Sequence, residues 1–208
     1  MDLKIKICGM REPGNIREVS GLKPDYMGFI FYPASKRYAG RLSPSDFVDF
    51  PDDIRKVAVF VNASRENIVS TCQAFSIRIL QLHGDEPPAF CQSLREEGFQ
   101  VIKAIRVGQG FDLEEMEKFA GVCDFLLFDT SGEGFGGTGL QFDWNRLQDY
   151  TLGLPFFLSG GIAPGDAERI MDMDIPQLYA VDLNSRFEIK PGLKNTDELE
   201  NFIGKIRT

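Results

Sequence analysis

Histidine is nearly absent. The chain has one, His83, in 208 residues, so no metal site built on two or more histidines of a single chain is available. Cysteine pairs are absent as well. Cys8, Cys72, Cys91 and Cys123 stand far apart with no CxxC spacing. A chain this long buries enough surface to fold without bridges, and the pattern is not that of a disulfide framework. No apolar run approaches the ~20 residues of a membrane helix. The opening MDLKIKICGM lacks the apolar stretch and the small-residue cleavage site of a secretory signal. Positive charge is in the minority, at 23 basic against 31 acidic residues and a net −8. That balance argues against a broad nucleic-acid surface and leaves room for a local basic pocket. The expectation is a reduced, soluble, cytoplasmic protein with no nucleic-acid or membrane partner. Monomer is the default, because no self-association surface can be read from sequence.

What is present is a repeated pattern. Apolar runs of strand length occur at 4–7, 26–31, 56–61, 78–82, 100–106, 124–129, 155–159 and 178–183. Several are nearly continuous in Val, Ile, Leu and Phe, as strands buried on both faces should be. Helix signals fall between them at 64–75, 87–97, 112–120 and 196–207, with Ser64 and Thr196 as cap-like starts. Eight strands alternating with helices predict parallel pairing through right-handed crossovers. The expected fold is a single α/β domain over 1–208, a (β/α)8 (TIM) barrel near the lower size limit of that architecture. An open doubly wound sheet is the rival, and it would leave two edges to protect.

Successive strand starts lie 22–24 residues apart except after the second and sixth, where the gaps are 30 and 31. The extra chain holds YPASKRYAGR in one case and SGEGFGGTG in the other. Both are expected in loops at the C-terminal face, where barrel enzymes place their chemistry.

Strand ends supply the candidate chemistry. Cys8 closes the first strand, and two readings stand: a small buried hydrophobe, or a thiol made basic by its surroundings. Asp129 closes the sixth, as a loop anchor or as a general acid. Strands one and six lie on different sides of the ring, so a base and an acid there would flank one substrate. Gln81 and His83 share a face by alternation, and His83 is either a substrate contact or a hydrogen-bonded structural histidine. Gly160 and Gly161 after strand seven, with Asn184 and Ser185 after strand eight, occupy the positions where barrels bind phosphate. Arg37 lies in the first insert and could clamp a planar carboxylate. Gly137 lies in the second insert, which does not match a P-loop and would present backbone N–H groups or act as a lid. Lys103, within the fifth strand, leaves a Schiff-base alternative open.

These motifs together resemble the phosphoribosylanthranilate isomerase family of tryptophan biosynthesis. The matching pieces are KICGM at 6–10, GFIF followed by SKRY, QLHG at 81–84 and LLFDT at 126–130. GGTG at 136–139, FDW at 142–144, SGGI at 159–162 and VDLNSRFEIKPGLKN at 181–195 complete the set, in family order over nearly the whole chain. The resemblance implies an Amadori rearrangement of N-(5-phosphoribosyl)anthranilate to 1-(o-carboxyphenylamino)-1-deoxyribulose 5-phosphate. It implies Cys8 as general base at ribose C2 and Asp129 as general acid at the furanose oxygen. Arg37 would hold the anthranilate carboxylate, and Asp182 would contact a hydroxyl. Gly160, Gly161 and Ser185 would hold the phosphate, with the loop around Gly137 closing over it. No metal and no redox cofactor is implied. Two residues depart from the family's usual pattern: Arg186, where a small residue is more common, and Asp166, where asparagine is often found.

Overall fold

The computed structural model describes residues 3–108, 111–130 and 141–207. Eight parallel strands close into a barrel in chain order. They are β1 (Lys4–Cys8), β2 (Tyr26–Ile30), β3 (Arg55–Phe60), β4 (Ile79–Leu82), β5 (Gln100–Val107), β6 (Phe125–Thr130), β7 (Phe156–Leu158) and β8 (Leu178–Leu183). β1 pairs with both β2 and β8, so no edge is left open. Each strand lies within a residue or two of its expected position.

The outer ring is less regular than the repeat predicts. Five α-helices are present among the described residues: α1 (Pro13–Gly21), α2 (Arg65–Phe75), α3 (Pro88–Glu96), α4 (Ala167–Met171) and α5 (Thr196–Ile206). After β2, β5 and β6 stand 3₁₀ turns at Pro44–Phe47, Glu114–Phe119 and Trp144–Leu147. The spacing of apolar residues explains the difference. α5 buries Leu199, Phe202, Ile203 and Ile206, the i, i+3, i+4, i+7 stripe of an α-helix. The stretch expected as a helix at 112–120 instead buries Met116 and Phe119, with Leu113 packed beside them. Trp144, Leu147 and Tyr150 repeat the same three-residue step. A strict period of three aligns side chains on a 3₁₀ turn, not on an α-helix.

Caps follow the sequence with one change. Ser64 caps α2 by accepting from the Asn67 N–H at 3.3 Å. α5 is capped by Asn195, whose side chain accepts from the Glu198 N–H; Thr196 is its first helical residue. The amide acceptor one position earlier reaches the orphan N–H groups better placed than the threonine.

Two apolar layers result. A large one lies between barrel and helices. A smaller one fills the barrel interior with Val57, Val59, Ile102, Leu127 and Phe157 among others. Aromatic rings close its N-terminal end. Tyr26 packs edge-on to Phe157 at 5.5 Å, and its hydroxyl lies 2.7 Å from that of Tyr179. Arg55 covers the Tyr26 ring at 4.0 Å. With that end plugged, the polar residues collect at the C-terminal mouth. A two-stranded hairpin, β9 (Glu188–Lys190) with β10 (Leu193–Lys194), follows β8. Asn15 on α1 pins it there by exchanging two hydrogen bonds with the Lys194 backbone, at 3.1 and 2.7 Å.

Candidate active site

Cys8 is the last residue of β1 and is 3% exposed. Two residues earlier on the same face lies Lys6, fully buried inside the barrel. The β1–β8 register places Lys6 beside Asp182, and Lys6 Nζ donates to Asp182 Oδ1 at 2.8 Å. Burial pushes the Cys8 thiol up; the Lys6 ammonium opposes that, the Asp182 carboxylate adds to it, and Lys194 opposes it. Burial also disfavours the Lys6 charge. The negative charges of Asp182 and Cys8 outweigh it, so Lys6 is held protonated above the usual lysine range.

The partner of Cys8 on β2 is Gly28. A Cβ there would lie 2.7 Å from Cys8 Sγ and 3.2 Å from Lys6 Nζ. Glycine is therefore what lets thiol and ammonium share this space. Gly28→Ala should displace both and lower kcat on the order of 10²-fold, with a modest loss of melting temperature. Steady-state kinetics beside a thermal melt would check it; unchanged kcat would mean the pocket yields freely.

Across the mouth, Asp129 sits in β6. Its Oδ1 accepts from the Thr130 N–H at 2.9 Å, and its Oδ2 lies 3.1 Å from His83 Nε2. His83 Nδ1 lies 2.7 Å from Gln81 Nε2. With the Gln81 amide donating, Nδ1 is the acceptor and the Nε2–H points at Asp129. His83 is thus hydrogen-bonded through both ring nitrogens, to Gln81 and to Asp129. Gln81 Oε1 is buried with no hydrogen-bond partner among the described residues. Asp182 lies between the two halves, close enough to feel the charges of Lys6, Asp129 and His83.

Arg37 follows β2 and packs over Gly9, where a Cβ would meet its Cδ at 2.7 Å. Its Nε and Nη2 grip Glu188 of the hairpin at 2.7–3.0 Å, leaving Nη1 outside that pair. Glu188 also accepts from Lys194 Nζ at 2.8 Å and from the Gly192 N–H at 3.0 Å. Burial would raise Glu188, but Arg37 and Lys194 overcome it and hold its carboxyl below the usual range. Burial lowers Lys194 to about 8 despite Glu188 beside it.

The strand-seven and strand-eight loops adjoin this cluster. Gly160 and Gly161 both take positive φ, 84° and 69°. A Cβ on Gly160 would collide with the Thr130 side chain and backbone next to Asp129, so only glycine lets the two loops approach. Ser185 opens a short 3₁₀ turn, Ser185–Phe187. Asn184 is engaged elsewhere: its Oδ1 accepts from Lys194 Nζ at 2.8 Å. Arg186 is exposed on that turn. Asp166 turns its carboxylate onto the Ala163 N–H at 2.7 Å, closing its own turn. Gly137 lies outside the described residues.

Sequence reasoning missed four residues. Lys6, Gly28, Glu188 and Lys194 are all within or beside the KICG, GFIF and EIKPGLK motifs. The legible signal was Lys6, a charge two residues from Cys8 in an otherwise apolar strand. Lys103 is on the outer face, bonded to the Leu82 and Gly84 carbonyls and to Glu86, so it does not enter the mouth. Among the described residues no group of three or more His, Cys, Asp or Glu is placed to hold a metal, and no helix is long and apolar enough to cross a membrane.

The family model described as N-(5'-phosphoribosyl)anthranilate (PRA) isomerase matches residues 5–205. The chain belongs to this family. It is an enzyme, an isomerase of tryptophan biosynthesis that carries out the Amadori rearrangement. Among its relatives, the N-(5'-phosphoribosyl)anthranilate isomerase of Parabacteroides distasonis is 45% identical over 204 residues, covering 97% of this chain and 92% of the relative. A solved monomeric form of the dimeric isomerase from Thermotoga maritima is 30% identical with a TM-score of 0.79, covering 99% of this chain and 98% of that one. A solved phosphoribosylanthranilate isomerase in complex with reduced 1-(o-carboxyphenylamino)-1-deoxyribulose 5-phosphate is also 30% identical, with a TM-score of 0.78 and the same coverage.

Proposed function

We propose that Cys8 is the general base and Asp129 the general acid of this rearrangement. The observation that carries the reading is their placement. Cys8 ends β1 and Asp129 is the next-to-last residue of β6, both at the C-terminal mouth, and Asp182 feels the charge of Asp129 and of the Lys6 beside Cys8. Asp129 gives its proton to the furanose oxygen as the C1–O bond breaks, leaving a protonated imine. The Cys8 thiolate takes the proton from C2, which neutralises the imine as an enolamine. The enol then returns its hydroxyl proton to Asp129 as C1 gains the proton on Cys8. The product is the ketone, and both groups are restored. Acid and base suffice for an isomerisation, so no cofactor enters the sequence of steps.

Arg37 is our choice for the anthranilate carboxylate. Glu188 fixes its guanidinium from one side and leaves Nη1 outside the pair. The phosphate would rest on Gly160, Gly161 and Ser185. Asn184 supports that turn through Lys194, and Gly137 would approach from the second insert. The printed ligand of the solved relative, a reduced product phosphate, supports a phosphorylated small molecule as the partner. Acid, base and Arg37 come from one barrel domain, so one copy holds the whole set. A cytoplasmic setting is part of the same reading, supported by four free buried cysteines.

The test is turnover of freshly generated phosphoribosylanthranilate, followed by loss of its fluorescence across pH. A base and an acid that must be in opposite protonation states should give kcat/KM a bell-shaped dependence on pH. A single-limbed profile would remove one of the two roles. Arg37→Leu should raise KM about 10–100-fold with a smaller change in kcat, as the loss of charge-assisted hydrogen bonds to a carboxylate predicts. An unchanged KM would place the carboxylate elsewhere.

A further inference from the structure

Lys6 is unexplained by stability. Its side chain is fully buried and that of Asp182 almost so, and they face each other at 2.8 Å inside an otherwise apolar barrel. Burying two charges carries a desolvation penalty that their attraction barely offsets. A well-packed apolar pair of similar volume is often as stable or more so. The pair therefore calls for a functional reason.

Geometry supplies one. Lys6 and Cys8 alternate onto the same interior face of β1. Both reach the gap left by the missing side chain of Gly28, from whose Cβ position Sγ is 2.7 Å and Nζ 3.2 Å away. Asp182 holds the ammonium in place from β8. A thiolate in such surroundings needs a cation that water does not screen.

We propose that Lys6 is the positioning residue for the base: its buried ammonium, fixed by Asp182, offsets the burial of the Cys8 sulfur and stabilises the thiolate form that takes the C2 proton. The inference rests on reading Cys8 as the general base. During the reaction the thiolate takes the C2 proton and becomes a thiol, while Lys6 keeps its three protons throughout. The charged groups facing Cys8 are Lys6 on its own strand, Asp182 on β8 and Lys194 on β10. Asp182 in turn faces Asp129 on β6 and His83 after β4. Of the charges acting on the sulfur, the nearest in effect is Lys6, which favours the thiolate, and Asp182 opposes it less strongly.

The experiment measures the rate at which iodoacetamide alkylates Cys8 as a function of pH, with Cys8→Ala as the blank. Alkylation at the other thiols, pushed up to about 12 for Cys72, about 11 for Cys91 and about 12 for Cys123, is what the blank subtracts. Lys6→Met should move the alkylation midpoint up by about one pH unit or more. The Cys8 limb of kcat/KM should move with it, and Lys6→Arg should restore most of the shift. Lys6→Met leaves Asp182 buried without a partner and can fail to fold. The double variant Lys6→Met/Asp182→Leu removes both charges together, and its midpoint should also rise. Midpoints within about 0.3 unit of the parent in a folded variant would overturn the proposal. The readout does not depend on turnover. A Cys8→Ala variant that still turns over would defeat the base assignment alone, and the alkylation midpoints would still decide whether Lys6 stabilises the thiolate.

Discussion

Cys8→Ala and Asp129→Asn should each lower kcat on the order of 10²–10⁴-fold, the contribution of one positioned acid or base. That range corresponds to about 3–5 kcal/mol of transition-state stabilisation. KM should change little, because neither group is the one that holds the substrate's fixed charges. Cys8→Ser keeps the shape but has no thiol to ionise, and it should fail as Cys8→Ala does. The fold should survive in every case. Asp129→Asn keeps an acceptor for the Thr130 N–H, and its amide N–H2 then faces His83 Nε2, which accepts once the ring takes its other tautomer and the Gln81 amide flips. Circular dichroism and a thermal melt would confirm that the variants are folded. Turnover within tenfold of the parent by either variant would end the assignment of that residue.

Glu86→Ala should cost about 3–5 kcal/mol of stability, the penalty for leaving one partner of a buried ion pair alone. Glu86 accepts from Lys103 Nζ at 2.9 Å, from the Asn62 N–H at 2.8 Å and from the Gly84 N–H at 2.9 Å. Its loss leaves the buried ammonium of Lys103 with two carbonyls and no counter-charge, and two backbone donors without an acceptor. For a chain of this size the melting temperature should fall by about 6–20 °C. Glu86→Gln/Lys103→Met removes both charges and keeps an acceptor for the loop, so it should recover much of the loss. The cycle of single and double variants separates the ion pair from the loop bonds. A melt shifted by less than about 2 °C in Glu86→Ala would show that the loop rearranges freely. Because this turn follows His83, activity should fall with stability.

Much of this was legible because of its local causes. Strands buried on both faces must be apolar throughout, so β1 to β8 stand out as runs. The proposed acid and base were legible because strand ends are recognisable and barrels do their chemistry there. The helices were less legible. The stretch after β5 carries helix-forming residues, and only the three-residue step of Met116 and Phe119 reveals the 3₁₀ turn.

By itself the sequence determined the barrel and the placing of Cys8 and Asp129 at the C-terminal ends of β1 and β6. A strand's period and its termini are properties of neighbouring residues, and they can be read in one dimension. Tertiary structure alone decided what surrounds those ends. Lys6 meets Asp182 across 176 positions, and Arg37 meets Glu188 across 151. Gly28 matters only because β2 lies against Cys8. Closure of the ring creates these contacts, and the charge environment of the thiol follows from them.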